Sequence, residues 1–200
     1  TNAGLTHISE GTTHLSVYDK DGNAVSVTTT LNDNFGSKTV VTDAGFLLND
    51  EMDDFSSKPG VPDMYGLVGG KANSIAPGKR MLSAMTPTIV LRNGKPNLIL
   101  GTPGGSTIIT QVFQAVTNVL DFNLSLSDAI NRPRFHHQWL PDRIDVEKEF
   151  PQALRDSLEA MGYKIHERAS IGRMEAILIH PNGMIEAVGD KRGDDSAAGY

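Results

Sequence analysis

The chain has 200 residues and a mass of 21.5 kDa, enough to bury one sizeable core and too little for several independent domains. No apolar run approaches the eighteen or so residues a bilayer demands, and a net charge of −6 without a Lys/Arg block lacks the phosphate-neutralising term of a nucleic-acid partner, so helical membrane proteins and nucleic-acid binders are excluded. Cysteine is absent, which excludes disulfide scaffolds, zinc–thiolate sites, iron–sulfur clusters and cysteine nucleophiles, and leaves chemistry to Thr, Ser, His and carboxylates.

Residues 1–11 hold only Leu5 and Ile8 as large apolar groups and keep no period, so they read as a flexible leader; the basic start and apolar stretch of a secretory signal are missing. Residues 12–18 and 24–30 then alternate around Asp19-Lys20-Asp21-Gly22-Asn23, which predicts a β-hairpin. Closing that turn opposes Tyr18 to Ala24, Val17 to Val25, Ser16 to Ser26, Leu15 to Val27 and Thr12 to Thr30. One face is then apolar and the other hydroxylic, and a one-residue slip would break both sets at once. Further strands are predicted at 45–48, at 88–92 and 97–101 through Asn93-Gly94, at 143–146, at 163–166, and at 176–180 and 184–188 around Pro181-Asn182-Gly183. Helical spacing joins Ile109, Val112, Phe113, Val116, Val119 and Leu120 over about 106–121, and Leu154, Leu158 and Met161 before Gly162. Residues 56–70, with two Pro and four Gly, form a long loop of the functional length class. Several strands, two substantial helices and no βαβ rhythm imply an α+β layered protein.

Few residues offer chemistry. Thr12 and Thr13 are either plain β-branched strand residues or, at the junction of leader and strand, a nucleophile: cutting before Thr12 would free an α-amine to act as base beside its hydroxyl, with Thr30 opposite to orient it. Thr102-Pro103-Gly104-Gly105-Ser106 is either a tight strand-to-helix turn or a loop whose backbone amides form an oxyanion hole. Asn49-Asp50-Glu51-Met52-Asp53-Asp54 is either a solvated helix start or a site for a cation such as an α-ammonium, and it lacks the spacing of an EF-hand. His136 and His137 are adjacent, so one is expected buried and the other exposed, with no shared ion. Trp139 is expected in the core or at an interface rather than at a cofactor site.

Thr12-Thr13-His14-Leu15-Ser16-Val17, Asp19-Lys20-Asp21-Gly22-Asn23-Ala24-Val25, Met52-Asp53-Asp54-Phe55, the stretch from Pro59-Gly60-Val61-Pro62 to Tyr65-Gly66-Leu67-Val68-Gly69-Gly70, Pro103-Gly104-Gly105-Ser106, and Pro133-Arg134-Phe135-His136-His137-Gln138-Trp139-Leu140-Pro141 together resemble the small subunit of γ-glutamyltranspeptidases, from Thr12 to Tyr200. The resemblance implies an N-terminal nucleophile hydrolase with a four-layer αββα sandwich, made as one precursor that cuts itself between Gly11 and Thr12. Residues 1–11 would end the large subunit and residues 12–200 would form the small-subunit catalytic domain. It also implies Thr12 as nucleophile, Thr30 as its hydroxyl partner, and Gly104 and Gly105 as the oxyanion hole. Asn32, Glu51 and Asp54 would hold the donor's α-amine and α-carboxylate end, Ser83 would bind carboxylate, and residues 59–70, with Tyr65, would form a lid. Two positions depart from the pattern: Glu51 stands where Gln is frequent, and Ala84 replaces a second carboxylate-binding serine. Thr1 is followed by no strand and matches no motif.

The expected activity is cleavage of the γ-glutamyl amide of glutathione-like donors through a threonyl ester, with transfer to water, an amino acid or a peptide. No metal or organic cofactor is expected. The expected partner is the large subunit, which in the family supplies an arginine for the donor carboxylate, and the family's location is periplasmic or extracellular. The alternatives are a glutaryl- or cephalosporin-type acylase of the same fold, disfavoured because a glutaryl group has no ammonium for Glu51 and Asp54, and an unprocessed, non-catalytic binding homologue.

Overall fold

The computed structural model describes residues 11–200, so all of the predicted leader except Gly11 lies outside the described residues. In chain order the strands are β1 (Thr12–Tyr18), β2 (Ala24–Thr30), β3 (Val40–Val41), β4 (Phe46–Leu47), β5 (Thr88–Arg92), β6 (Lys95–Gly101), β7 (Phe135–His136), β8 (Ile144–Glu147), β9 (Ile165–Arg168), β10 (Glu175–Ile179) and β11 (Ile185–Gly189); the helices are α1 (Ile108–Leu120), α2 (Leu126–Asn131) and α3 (Gln152–Ala160).

β1 and β2 pair antiparallel in the expected register, from Tyr18 opposite Ala24 to Thr12 opposite Thr30. Asp19 closes the turn, its Oδ1 accepting from the amides of Asp21 and Asn23, both at 2.9 Å. The face turned inward is the hydroxylic one. Ser26 donates to the Leu100 carbonyl at 2.9 Å, and His14 is buried between Thr28 and Ser16, with Nδ1 2.8 Å from Thr28 Oγ1. The apolar face, including Leu15 at 57 % exposure and Val27 at 45 %, is left uncovered among the described residues.

Beneath the hairpin lies an antiparallel sheet in the order β11-β10-β6-β5. Leu98 and Leu100 of β6 face Ile108 and Val112 of α1 and Leu126 and Ile130 of α2, all of them buried. The intervening Ile99 is equally buried and, by strand alternation, points under the hairpin. Helices, sheet and hairpin form three successive layers of an αββα sandwich.

The expectation of no βαβ rhythm is corrected, because β8 and β9 pair in parallel across α3. Ile144-Asp145-Val146-Glu147 reads as a half-exposed strand, yet all four residues are buried. Its charges are compensated: Arg143 Nε donates to Asp145 at 2.8 Å, and Arg192 Nε donates to Glu147 at 2.6 Å. Helix α2 was also not anticipated. Its six residues are too few to show a period, although Ser125 caps it by accepting from the Asp128 amide at 3.1 Å. At the start of β10, Glu175 meets Asp195 through buried carboxyl oxygens that have no N–H or hydroxyl donor among the described residues. Burial, then the facing Asp195, pushes Glu175 up to about 8.

Candidate active site

The register places Thr12 and Thr30 side by side at the open end of the hairpin, where the Thr12 hydroxyl donates to Thr30 Oγ1 at 2.9 Å. Thr30 Oγ1 also accepts from the Asn32 amide at 2.9 Å, and its own proton points at the Gly11 carbonyl, 3.5 Å away. One hydroxyl thus touches both the prospective nucleophile and the carbonyl of the bond preceding it.

The chain leaves β2 at Asn32, with φ 75°, and the acidic segment docks there: Asp50 donates its amide to Leu31 O at 3.1 Å and accepts from the Asp33 amide at 2.9 Å. Glu51–Asp54 then makes one 3₁₀ turn with no cation paired to it among the described residues. Burial, followed by the Asp54 and Asp50 carboxylates, pushes Glu51 up to about 7. Burial also raises Asp54, although the hydrogen bond from Glu51 opposes that rise. Burial and the neighbouring carboxylates disfavour the ionised form of both groups, and a cation placed between them would favour it. Asn73 joins the far wall, donating to Asp54 O at 2.7 Å and accepting from the Leu82 amide at 2.9 Å, which sets Ser83 on the same cavity.

Residues 56–70 form the expected loop, folded on itself by Asp63, whose Oδ1 accepts from the amides of Tyr65 and Leu67 at 2.9 and 2.8 Å. The Tyr65 hydroxyl donates to Asn32 Oδ1 at 3.0 Å. Its ring lies over Gly105, where a β-carbon would sit 2.6 Å from Cε1; Gly105 also has φ 53°, so a side chain is excluded twice over.

A cavity of about 490 Å³ brings together Thr12, Thr30, Asn32, Glu51, Asp54, Tyr65, Ser83 and Gly105. Gly104 is the exception. It lines a second recess of about 150 Å³ behind the turn, because its carbonyl caps the helix start and accepts from the Thr107 amide and hydroxyl at 3.0 and 2.8 Å. Trp139 is not in the core: it stands at the cavity with 69 % of its surface exposed. His136 is buried and His137 is partly exposed, as adjacent strand-end residues should be. Asn73 and Gln138 carry no signal of their own in the sequence: they act through groups distant along the chain, and no spacing rule reports such contacts.

Residues 2–200 match the model of the family described as gamma-glutamyltranspeptidase. The chain is 53 % identical over 193 residues to the glutathione hydrolase proenzyme of Escherichia coli, covering 96 % of this chain and 33 % of that protein. The corresponding proenzyme of Pseudomonas aeruginosa is 52 % identical over 186 residues, covering 91 % of this chain and 33 % of that protein, so the chain spans about a third of these relatives. Among solved structures, the gamma-glutamyltranspeptidase of Pseudomonas nitroreducens complexed with L-DON superposes with TM-score 0.89 at 50 % identity, covering 94 % of this chain and 99 % of that one. A cephalosporin acylase of Bacillus halodurans shares the fold at TM-score 0.82 and 27 % identity, covering 94 % of this chain and 34 % of that one. The match extends over nearly every residue that builds the hairpin, the acidic turn and the glycine turn, and the chain belongs to the gamma-glutamyltranspeptidase family.

Proposed function

We propose that the protein is a γ-glutamyl hydrolase and transferase that matures by cutting itself between Gly11 and Thr12. The observation that carries this reading is the Thr30 hydroxyl, set 2.9 Å from Thr12 Oγ1 and 3.5 Å from the Gly11 carbonyl, in one cavity with an acidic turn that meets no cation among the described residues. In the self-cut, Thr12 Oγ attacks the Gly11 carbonyl carbon while Thr30 polarises its oxygen. The C–N bond breaks to give an ester and a free amine, and water then releases the Gly11 carboxylate.

The freed α-amine of Thr12 next serves as base. It takes the Thr12 hydroxyl proton as Oγ attacks the donor's γ-carbonyl, and it returns that proton to the departing amine. The backbone amide of Gly105, which lines the cavity with Thr12, stabilises the tetrahedral oxyanion. Glu51 and Asp54, with Asn32, hold the donor's α-ammonium end, Ser83 takes a carboxylate oxygen, and Tyr65 covers the site. Water or an amino-acid amine resolves the ester. The uncovered apolar face of β1 and β2 supports a large subunit as the fourth layer.

A glutaryl- or cephalosporin-type acylase is the competing reading, favoured by Ala84 and by the shared fold of the acylase. It leaves the two raised carboxyls without a ligand. The test is to express the full precursor, sequence the new N-terminus, and assay a γ-glutamyl anilide against a glutaryl anilide. A Thr-Thr-His-Leu terminus with preference for the γ-glutamyl substrate is expected; an active enzyme beginning elsewhere, or preferring glutaryl, overturns the proposal.

A further inference from the structure

Residues 133–141 take no part in the reaction above, yet one of their side chains has all four hydrogen-bonding positions filled. Gln138 Nε2 donates to the backbone carbonyls of Tyr65 and Leu140, each at 3.0 Å. Its Oε1 accepts from the Ser106 hydroxyl at 2.8 Å and faces His136 Nε2 at 2.9 Å. The two carbonyls set the orientation of the amide, since only its NH₂ end can serve them. Oε1 then requires the imidazole proton on Nε2. Burial lowers the affinity of this ring for a second proton, and its Nδ1 lies 2.8 Å from Thr110 Oγ1, whose hydroxyl is also 3.0 Å from the Thr107 carbonyl.

Three separate pieces of chain meet at this amide: the 56–70 loop through Tyr65, the glycine turn through Ser106, and the first turn of α1 through His136 and Thr110. Beyond Tyr65 the connection continues through Asn32 to Thr30 and Thr12. The segment bearing Gln138 is itself held firmly. Arg134 is buried and donates to the Ile130 and Ile171 carbonyls at 2.8 and 2.7 Å. After Gln138, the Leu140 amide returns to the Gln138 carbonyl at 2.9 Å around Trp139, whose φ is 73°. A bulky L-residue keeps that conformation only where its surroundings over-determine it, and such strain concentrates at functional sites.

We propose that Gln138 is a positioning residue that couples the 56–70 loop to the glycine turn, so that the cover of the cavity and the backbone at Gly105 reach their working arrangement together. The role in turnover rests on the γ-glutamyl reading, whereas the coupling can be observed without substrate. The ionisable groups around the amide are His136 on its own segment and Tyr65 on the loop, with Arg143, Asp145 and Arg168 lining the adjoining recess.

The test is amide hydrogen exchange on the full-length protein, comparing wild type with Gln138→Leu and Gln138→Glu. Gln138→Leu should accelerate exchange about tenfold, the equivalent of roughly 1.4 kcal/mol, in both the 59–70 loop and residues 103–107, while β6 and β10 stay protected. The loop amides to follow are those of Gly60, Asp63 and Gly66, which are hydrogen-bonded within the loop. Gln138→Glu keeps the acceptor for Ser106 and sets a carboxylate against two carbonyls. Protonating it supplies one donor, so its exchange rates and kcat, relative to wild type at each pH, should recover as pH falls, and those of Gln138→Leu should not. Acceleration of one segment alone, no acceleration, identical pH profiles of the two variants, or loss of protection throughout β6 and β10 would each overturn the coupling. If the wild type fails to turn over a γ-glutamyl anilide while both segments still loosen together, the functional reading falls and the coupling stands.

Discussion

Ammonium binding against Glu51 and Asp54 should leave a signature in pH. With Glu51 pushed up to about 7, a donor that needs the ionised carboxylate must first remove its proton. At pH 5 that requirement reduces the competent fraction by about a hundredfold and at pH 7 by about twofold, so kcat/KM should fall about 50-fold between the two pH values. Other groups titrate over the same range, including the α-amine proposed as base, and they affect every substrate. The quantity to measure is therefore the ratio of kcat/KM for a γ-glutamyl anilide to that for a glutaryl anilide from pH 5 to 8. The ratio should rise with pH in the wild type and flatten in Glu51→Gln, which has no proton to release. Stability should move the other way: a raised carboxyl pKa means stability is lost as pH climbs from about 4.5 through about 7, so Glu51→Gln should gain in Tm over wild type at pH 8 but not at pH 4. A wild-type ratio that stays level from pH 5 to 7 would refute the cation-site assignment.

Thr30→Val removes the hydroxyl shared by Thr12 and the Gly11 carbonyl and should slow self-cutting on the order of 10²-fold, with Thr30→Ser near wild type; uncut precursor on a denaturing gel measures it, and wild-type cutting in Thr30→Val would contradict the role. Asp54→Ala should cost roughly 2–5 kcal/mol in kcat/KM for a γ-glutamyl donor, and Ala84→Ser should lower KM; unchanged constants in both variants would remove this wall from donor binding. Glu175→Gln should be increasingly more stable than wild type as pH rises from 5 to 9, because the proton held at about 8 beside Asp195 is lost over that range; a difference in Tm independent of pH would show that Glu175 is not raised.

The hairpin was legible residue by residue because strand parity leaves a single pairing that keeps valines opposite valines and threonines opposite threonines. The glycine turn and α1 were legible for a similar reason, since the Ile109-to-Leu120 spacing allows only a helix. Pairing says which residues face each other and not which face is covered, and here the hydroxylic face is inside. The two strands and the helix of the β8–α3–β9 unit were legible, but their parallel pairing and the burial of β8 were not, because Asp145 and Glu147 look like solvent-facing residues until their partners Arg143 and Arg192 are known. Chain order likewise concealed Gln138, whose partners at Tyr65 and Ser106 come from different elements. The Ser125–Asp128 capping pair was readable and would have revealed α2.

Gly101 lies on β6, and a β-carbon there would come within 2.2 Å of the His14 ring. Between hydrocarbon faces a strand can shift at little cost, because dispersion has no preferred direction. Here the two sheets meet through a snugly seated imidazole and the hydroxyls of Ser16 and Ser26, each aimed at one backbone carbonyl. Such an interface indexes the hairpin along its own axis, as teeth index a rack, and Thr12 is carried at the end of it. A methyl group at position 101 would therefore displace Thr12, the proposed nucleophile, from a point outside the cavity that holds it.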